Sequence, residues 1–120
     1  MGVFQVNKIY LIRRNERDYI QVGSGVSMSY LRKEADEYSL VLKMEPGSRF
    51  PMHGHHGGEQ IYVVNGRVKI GQFELNEGDY FFTPFNHTQT LETEEGCNLL
   101  VCSAKKVDAA HHFSQAETTA

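Results

Sequence analysis

The chain lacks an excess of charge of either sign: 12 lysine and arginine residues stand against 15 aspartate and glutamate, a formal net charge of −3 over 120 residues. Proteins that bind nucleic acid or anionic membrane surfaces carry a positive excess, so neither is an expected partner. Long apolar runs are missing as well. The longest, such as Ile61-Tyr62-Val63-Val64 and Leu99-Leu100-Val101-Cys102, fall far short of the roughly 20 residues that a membrane-spanning helix needs. The opening Met1-Gly2-Val3-Phe4-Gln5-Val6 has no basic stretch leading into an apolar one, so it does not read as a secretory signal, and Val6 stands where a myristoylation pattern asks for Ser or Thr. A cytoplasmic location is therefore expected. Cysteine is scarce: Cys97 and Cys102 share one apolar stretch, and on a single strand they would face opposite ways, about 16 Å apart. That separation is too great for a disulfide, so two free thiols are expected. Internal repeats and low-complexity tracts are absent.

What is present fits one domain. Short apolar segments alternate with turn residues about every 8 to 12 positions, the signature of an all-β barrel or sandwich. Strands are expected near Lys8–Ile12, Tyr19–Val22, Val26–Arg32, Tyr38–Met44, Gly58–Val64, Arg67–Ile70, Phe73–Leu75, Asp79–Thr83, Thr88–Glu92 and Cys97–Ser103. Lys33-Glu34-Ala35-Asp36 joins two alternating segments, Gly71-Gln72 fits a two-residue hairpin loop, and Asn65-Gly66 is the strongest turn signal in the chain. Beyond residue 105 the apolar content falls, so residues 1–105 are expected to form the domain and residues 106–120, with His111-His112, a solvated tail.

One constellation carries chemistry. Residues 47 to 66 read Gly47-x5-His53-x-His55-x3-Glu59-x6-Gly66, and Gly78-x5-Pro84-x2-His87 follows. His53 and His55, two apart on an extended segment, point to one face, and Gly57-Gly58 lets the chain adjust before Glu59 re-enters on that face. His87, after the turn at Pro84, would close the set. Three neutral imidazoles and one carboxylate suit Fe, Mn, Ni, Co, Cu or Zn better than Ca or Mg, and a six-coordinate ion keeps positions open for water or substrate. By alternation His56 and Gln60 face away from this set.

The first segment matches the first cupin motif at every defined position, and the second resembles the second cupin motif. With this chain's composition such a match arises by chance roughly two times in ten thousand. Within the cupins, Glu45-Pro46-Gly47-Ser48-Arg49-Phe50-Pro51-Met52-His53-Gly54-His55-His56-Gly57-Gly58-Glu59 and Glu95-Gly96-Cys97 look like the ChrR-type cupin-like domains. That group includes the metal-binding half of an anti-sigma factor and acetylacetone-type oxygenases. The resemblance implies an antiparallel double-stranded β-helix, or jelly-roll, barrel. It departs in two places: the turn from Pro84 to His87 is short for a cupin, and Gln60 replaces an acidic residue common in the group.

Alternation from the ligands places Ile61 and Val63 inside with Glu59, and Gln89 and Leu91 inside with His87. Tyr38, Leu40, Leu42 and Met44 line the barrel, joined by Val26, Met28 and Tyr30, while Ser39 and Lys43 face solvent and Arg49 sits at the rim. A substrate pocket of Tyr30, Tyr38, Leu40, Leu42, Ile61, Gln89 and Leu91 is mostly apolar. The expected activity is that of a mononuclear oxygenase on a small enolisable or phenolic compound, with Glu59 also a catalytic base. A metal-dependent isomerase or lyase, or a non-catalytic sensor of metal or small ligand, would use the same residues. A homodimer is expected, because Val3–Ile12 is β-prone and a short barrel leaves sheet edges to cover.

Overall fold

A computed structural model describes residues 8–35, 37–53, 57–84 and 87–103. Nine strands are described: β1 Ile20–Gly23, β2 Val26–Glu34, β3 Glu37–Met44, β4 Arg49–His53, β5 Glu59–Ile70, β6 Phe73–Asn76, β7 Tyr80–Thr83, β8 Thr88–Glu92 and β9 Cys97–Ser103. A single 3-10 turn, Arg14–Glu16, precedes them, and no α-helix occurs among the described residues. Every described pairing is antiparallel. The path runs β1-β2-β3-β9-β5-β8-β4, with β6 and β7 also on β5, forming a nearly closed all-β barrel.

The long strand β5 organises the barrel. Its first half lies between β7 and β9; its second half pairs with β6 and β8. It passes from one set of partners to the other through a register shift between Val63 and Asn65, opposite β9. The expected turn at Asn65-Gly66 instead lies inside one continuous strand, paired with Asn98 and Cys97 just past the bulge at Val64, and the two strands expected on either side of it are one. A bulge bends a strand and raises its twist, which lets one strand serve two sheets.

Two more differences concern strands. Lys8–Ile12 forms none: the run has strand propensity, yet none of the described pairings includes it, and propensity without a ladder does not make a strand. Arg49–His53 forms β4, paired with β8 from Arg49↔Glu92 to His53↔Thr88. It lies at the end of the path, an edge that tolerates Pro51. The tail from residue 106, with His111-His112, lies outside the described residues.

Inside, Val26, Leu40, Leu42, Met44, Ile61, Val63, Leu91, Leu99 and Val101 are buried, as alternation requires, with Met28, Tyr30 and Tyr38 packed against them. Lys43 is exposed and Ser39 only half-buried. Cys97 faces this core and Cys102 the other side of β9, and both are free thiols. Burial pushes the Cys97 thiol up to about 11, against a weaker opposing hydrogen bond with Thr93, which leaves it un-ionised. Among the described residues no helix is long and apolar enough to cross a membrane.

Candidate functional site

The two sequence motifs meet at one end of the barrel. Glu59 opens β5 directly opposite Thr83, the last residue of β7, and also opposite Ser103 of β9. Four residues separate Thr83 from Thr88, which pairs with His53 at the end of β4. The contact that joins the motifs is Gly58: its φ is +105°, and a Cβ there would stand 2.5 Å from the Thr83 carbonyl oxygen and 3.0 Å from the Pro84 Cα. Only glycine lets the first motif's loop lie this close to the second motif's turn.

Glu59 is 2% exposed. Its Oε2 accepts a hydrogen bond from the Tyr38 hydroxyl, while Oε1 has no partner. The Tyr38 backbone N–H donates to Ser103 Oγ at 2.8 Å, which ties β3 to β9 beside the carboxyl. The Tyr38 ring meets the Tyr30 ring edge-on at 6.3 Å, and the Lys33 ammonium lies 4.8 Å over Tyr30. Such an arrangement fixes the ring and hence the phenol on Glu59. Burial pushes the Glu59 carboxyl up to about 7, because an ionised carboxylate loses its hydration in this interior.

Of the other expected ligands, His55 lies outside the described residues, as does the side chain of His53. His87 is exposed immediately before β8. Among the described residues no three His, Cys, Asp or Glu side chains gather. Of the expected pocket, Leu40, Leu42, Ile61 and Leu91 are core residues, and Tyr30 and Tyr38 are half-buried against them. Gln89 is half-buried, with its amide oxygen near the Gly71 turn. Arg49 is exposed and pairs with Glu92 at 3.7 Å, a weak surface contact. A separate cleft of about 400 Å³ is lined by Ser48, Arg49, Arg67, Lys69, Glu74 and Glu92, among others, and Glu59 is not among them.

Thr83 is the residue that sequence reasoning missed. It is 1% exposed and its Oγ1 has no hydrogen-bond partner. A polar β-branched residue one position before Pro84, in phase with the half-buried Phe81, was the signal available.

The chemistry of this end of the barrel fits a cation. A buried carboxyl with one free oxygen, its other oxygen already held by a phenol, is a one-oxygen donor that a positive ion would satisfy.

The family model of the ChrR cupin-like domain matches residues 7–107. No curated protein matches. Among solved structures, one similar chain comes from Rhodobacter sphaeroides SigE in complex with the anti-sigma ChrR, at 22% identity and TM-score 0.68, covering 77% of this chain and 52% of that one. This chain thus spans about half the length of that relative. KdgF from Halomonas sp. is similar at 20% identity and TM-score 0.66, over 79% of this chain and 91% of that one. The polyketide cyclase RemF from Streptomyces resistomycificus is similar at 20% identity and TM-score 0.69, over 79% of this chain and 78% of that one. These likenesses agree on the barrel and differ in the activities their names carry. With the model spanning every strand described above, the chain belongs to the ChrR cupin-like domain family.

Proposed function

We propose that the protein is a metal-binding cupin that holds one divalent transition ion with His53, His55, Glu59 and His87, and that it works as an oxygenase-type enzyme on a small enolisable or phenolic compound in the cytoplasm. The observation that supports this reading is the buried Glu59 carboxyl with its unpartnered Oε1, at the end of the barrel where the two motifs meet. When bound, such an ion supplies Lewis-acid stabilisation of a substrate oxyanion and, if redox-active, a path for electrons to dioxygen. Tyr38 holds Glu59 in one orientation; burial pushes the carboxyl up to about 7 in the metal-free barrel, and a bound ion would draw it to the ionised form. Tyr30, Leu40, Leu42, Ile61 and Leu91 keep water from this end of the core. With no guanidinium fork among them, they favour diketones, enols or catechols over sugar phosphates. Two free cysteines fit a reducing compartment.

Elemental analysis after metal-supplemented expression tests the site. About one ion per chain is expected, lost in His53→Ala and His55→Ala and released as pH falls, because the imidazoles must be neutral to bind. Full stoichiometry in both variants would overturn the assignment. Oxygen-electrode traces of the Fe(II)-loaded protein with a panel of diketones and catechols test the activity. Flat traces across Fe, Mn, Ni and Cu forms would move the reading to a non-catalytic sensor.

We further propose that the protein is a homodimer, a reading its outer surface supports. Tyr62 and Tyr80 pair directly across β5 and β7, flanked by Val64 and Phe82, and all four are about half exposed. At that exposure the three rings leave on the order of 300 Å² of aromatic surface in water, already at the scale of the largest apolar patch on a typical monomer. Ile9 is 102% exposed and Leu11 66%, on either side of Tyr10, whose hydroxyl donates to the Leu31 carbonyl at 2.7 Å, so the segment adds apolar surface beside β2. A second copy supplies both surfaces in a two-fold arrangement, and segment and face together approach the roughly 800 Å² per partner of a stable dimer. Light scattering is expected to give twice the chain mass, and Tyr62→Asp to give the monomer; a monomeric wild type at micromolar concentration would count decisively against this assembly.

A further inference from the structure

Buried side-chain polar atoms nearly always have partners. Among the described residues three do not: Arg17 Nε, Glu59 Oε1 and Thr83 Oγ1. Two of these three belong to one directly opposed pair across β5 and β7. Opposed residues on an antiparallel pair stand with Cβ atoms about 4.5 to 5.5 Å apart on one face. Both residues are almost fully buried, at 2% and 1% exposure. Among the described residues, Gly58, pressed on the Thr83 carbonyl, carries no side chain, and the Tyr38 hydroxyl is committed to the other Glu59 oxygen. A valine would fill the Thr83 position with the same shape and no unpaired hydroxyl.

We propose that Thr83 is a ligand-positioning residue of this site, its hydroxyl hydrogen-bonding the oxygen atom bound beside Glu59. This rests on the metal-site reading above. The hydroxyl accepts a hydrogen bond from a water at that place and donates one to an enolate or catecholate oxygen that replaces it. The site then selects ligands with an oxygen acceptor next to Glu59 over molecules of the same shape without one, since an apolar ligand leaves the hydroxyl buried and unpaired.

The test compares wild type, Thr83→Val and Thr83→Ser, each loaded with Co(II) and titrated with 4-nitrocatechol, whose absorbance reports binding. Thr83→Val is expected to weaken 4-nitrocatechol binding roughly tenfold or more, the loss of one hydrogen bond to a charged oxygen. Thr83→Ser, which keeps the hydroxyl, is expected to bind within about threefold of wild type. In EDTA the Thr83→Val protein is expected to melt no lower than wild type, because in the empty site the hydroxyl has no partner to lose. Equal 4-nitrocatechol affinity in wild type and Thr83→Val overturns the proposal, as does a lower melting temperature of Thr83→Val in EDTA with an equal loss of affinity in Thr83→Ser. Failure of the metal-site reading itself shows earlier, in wild type that takes up no Co(II).

Discussion

Alanine at Gly66 is expected to destabilise the protein by about 3 kcal/mol or more, a severe effect for the addition of one methyl group. Gly66 sits at φ +85°, and a Cβ there would stand 2.2 Å from the Gly96 carbonyl oxygen, 2.7 Å from the Cys97 Cα and 2.9 Å from the Cys97 Cβ. Two of those atoms are backbone, and they are held. The Thr93 hydroxyl accepts a hydrogen bond from the Gly96 N–H at 2.9 Å and donates one to the Arg67 carbonyl at 2.6 Å, tying the β8–β9 turn to β5. Relief of the clash requires β5 and β9 to part where Gly66 pairs with Cys97, above the fully buried Val63 and Leu99. Packing of that quality does not yield without loss of contacts. Urea unfolding of the Gly66→Ala protein measures the cost; a midpoint matching a loss under 1 kcal/mol would show that the turn gives way easily and would sink this account of Gly66.

Gly66 also marks where the sequence misleads. Asn65-Gly66 has the local chemistry of a hairpin turn, and only its pairing with Asn98 and Cys97, more than thirty residues away, keeps it in a strand that serves two sheets. Strands with clear edges are legible by contrast. Thr88–Glu92 and Cys97–Ser103 were expected at the residues where they occur, because the Pro84 turn and Gly96 punctuate them and their apolar residues alternate. Lys8–Ile12 has the composition of a strand, and pairing, which composition does not encode, decided otherwise. β4 escaped the strand reading because Pro51 interrupts it, and its place at the end of the sheet explains why Pro51 is tolerated. At the site, the inward placement of Glu59, Tyr38, Leu42 and Ile61 follows from period two alone. Thr83 does not, since its meaning lies in facing Glu59 across a pairing between distant segments.

Metal-free protein is expected to lose stability as pH rises from about 4.5 to about 7, through Glu59. Its carboxyl has the ordinary value of 4.5 when unfolded and is pushed up to about 7 by burial in the fold. Below 4.5 both states hold the proton and this group contributes its full stabilisation. Between the two values the folded state keeps the proton and the unfolded state has released it, so unfolding releases a proton and each pH unit upward costs about 1.4 kcal/mol. The total loss is about 3 kcal/mol, complete by a little above pH 7. Glu59→Gln is a neutral isostere of the protonated carboxyl whose amide oxygen still accepts the Tyr38 hydrogen bond. It is therefore expected to be more stable than wild type at pH 8 in EDTA and nearly equal to it below pH 4.5. Comparing the two proteins reads the pH dependence that the Glu59 carboxyl brings. A bound cation reverses the preference: it draws Glu59 to the ionised form, so saturating metal is expected to raise the melting temperature of wild type at pH 8 and to leave Glu59→Gln nearly unmoved. Unfolding curves from pH 4 to 8, with EDTA and with Co(II), measure both effects. Parallel pH profiles for the two proteins in EDTA would show that Glu59 is ionised in the empty barrel, with its charge compensated from within the chain rather than by a cation.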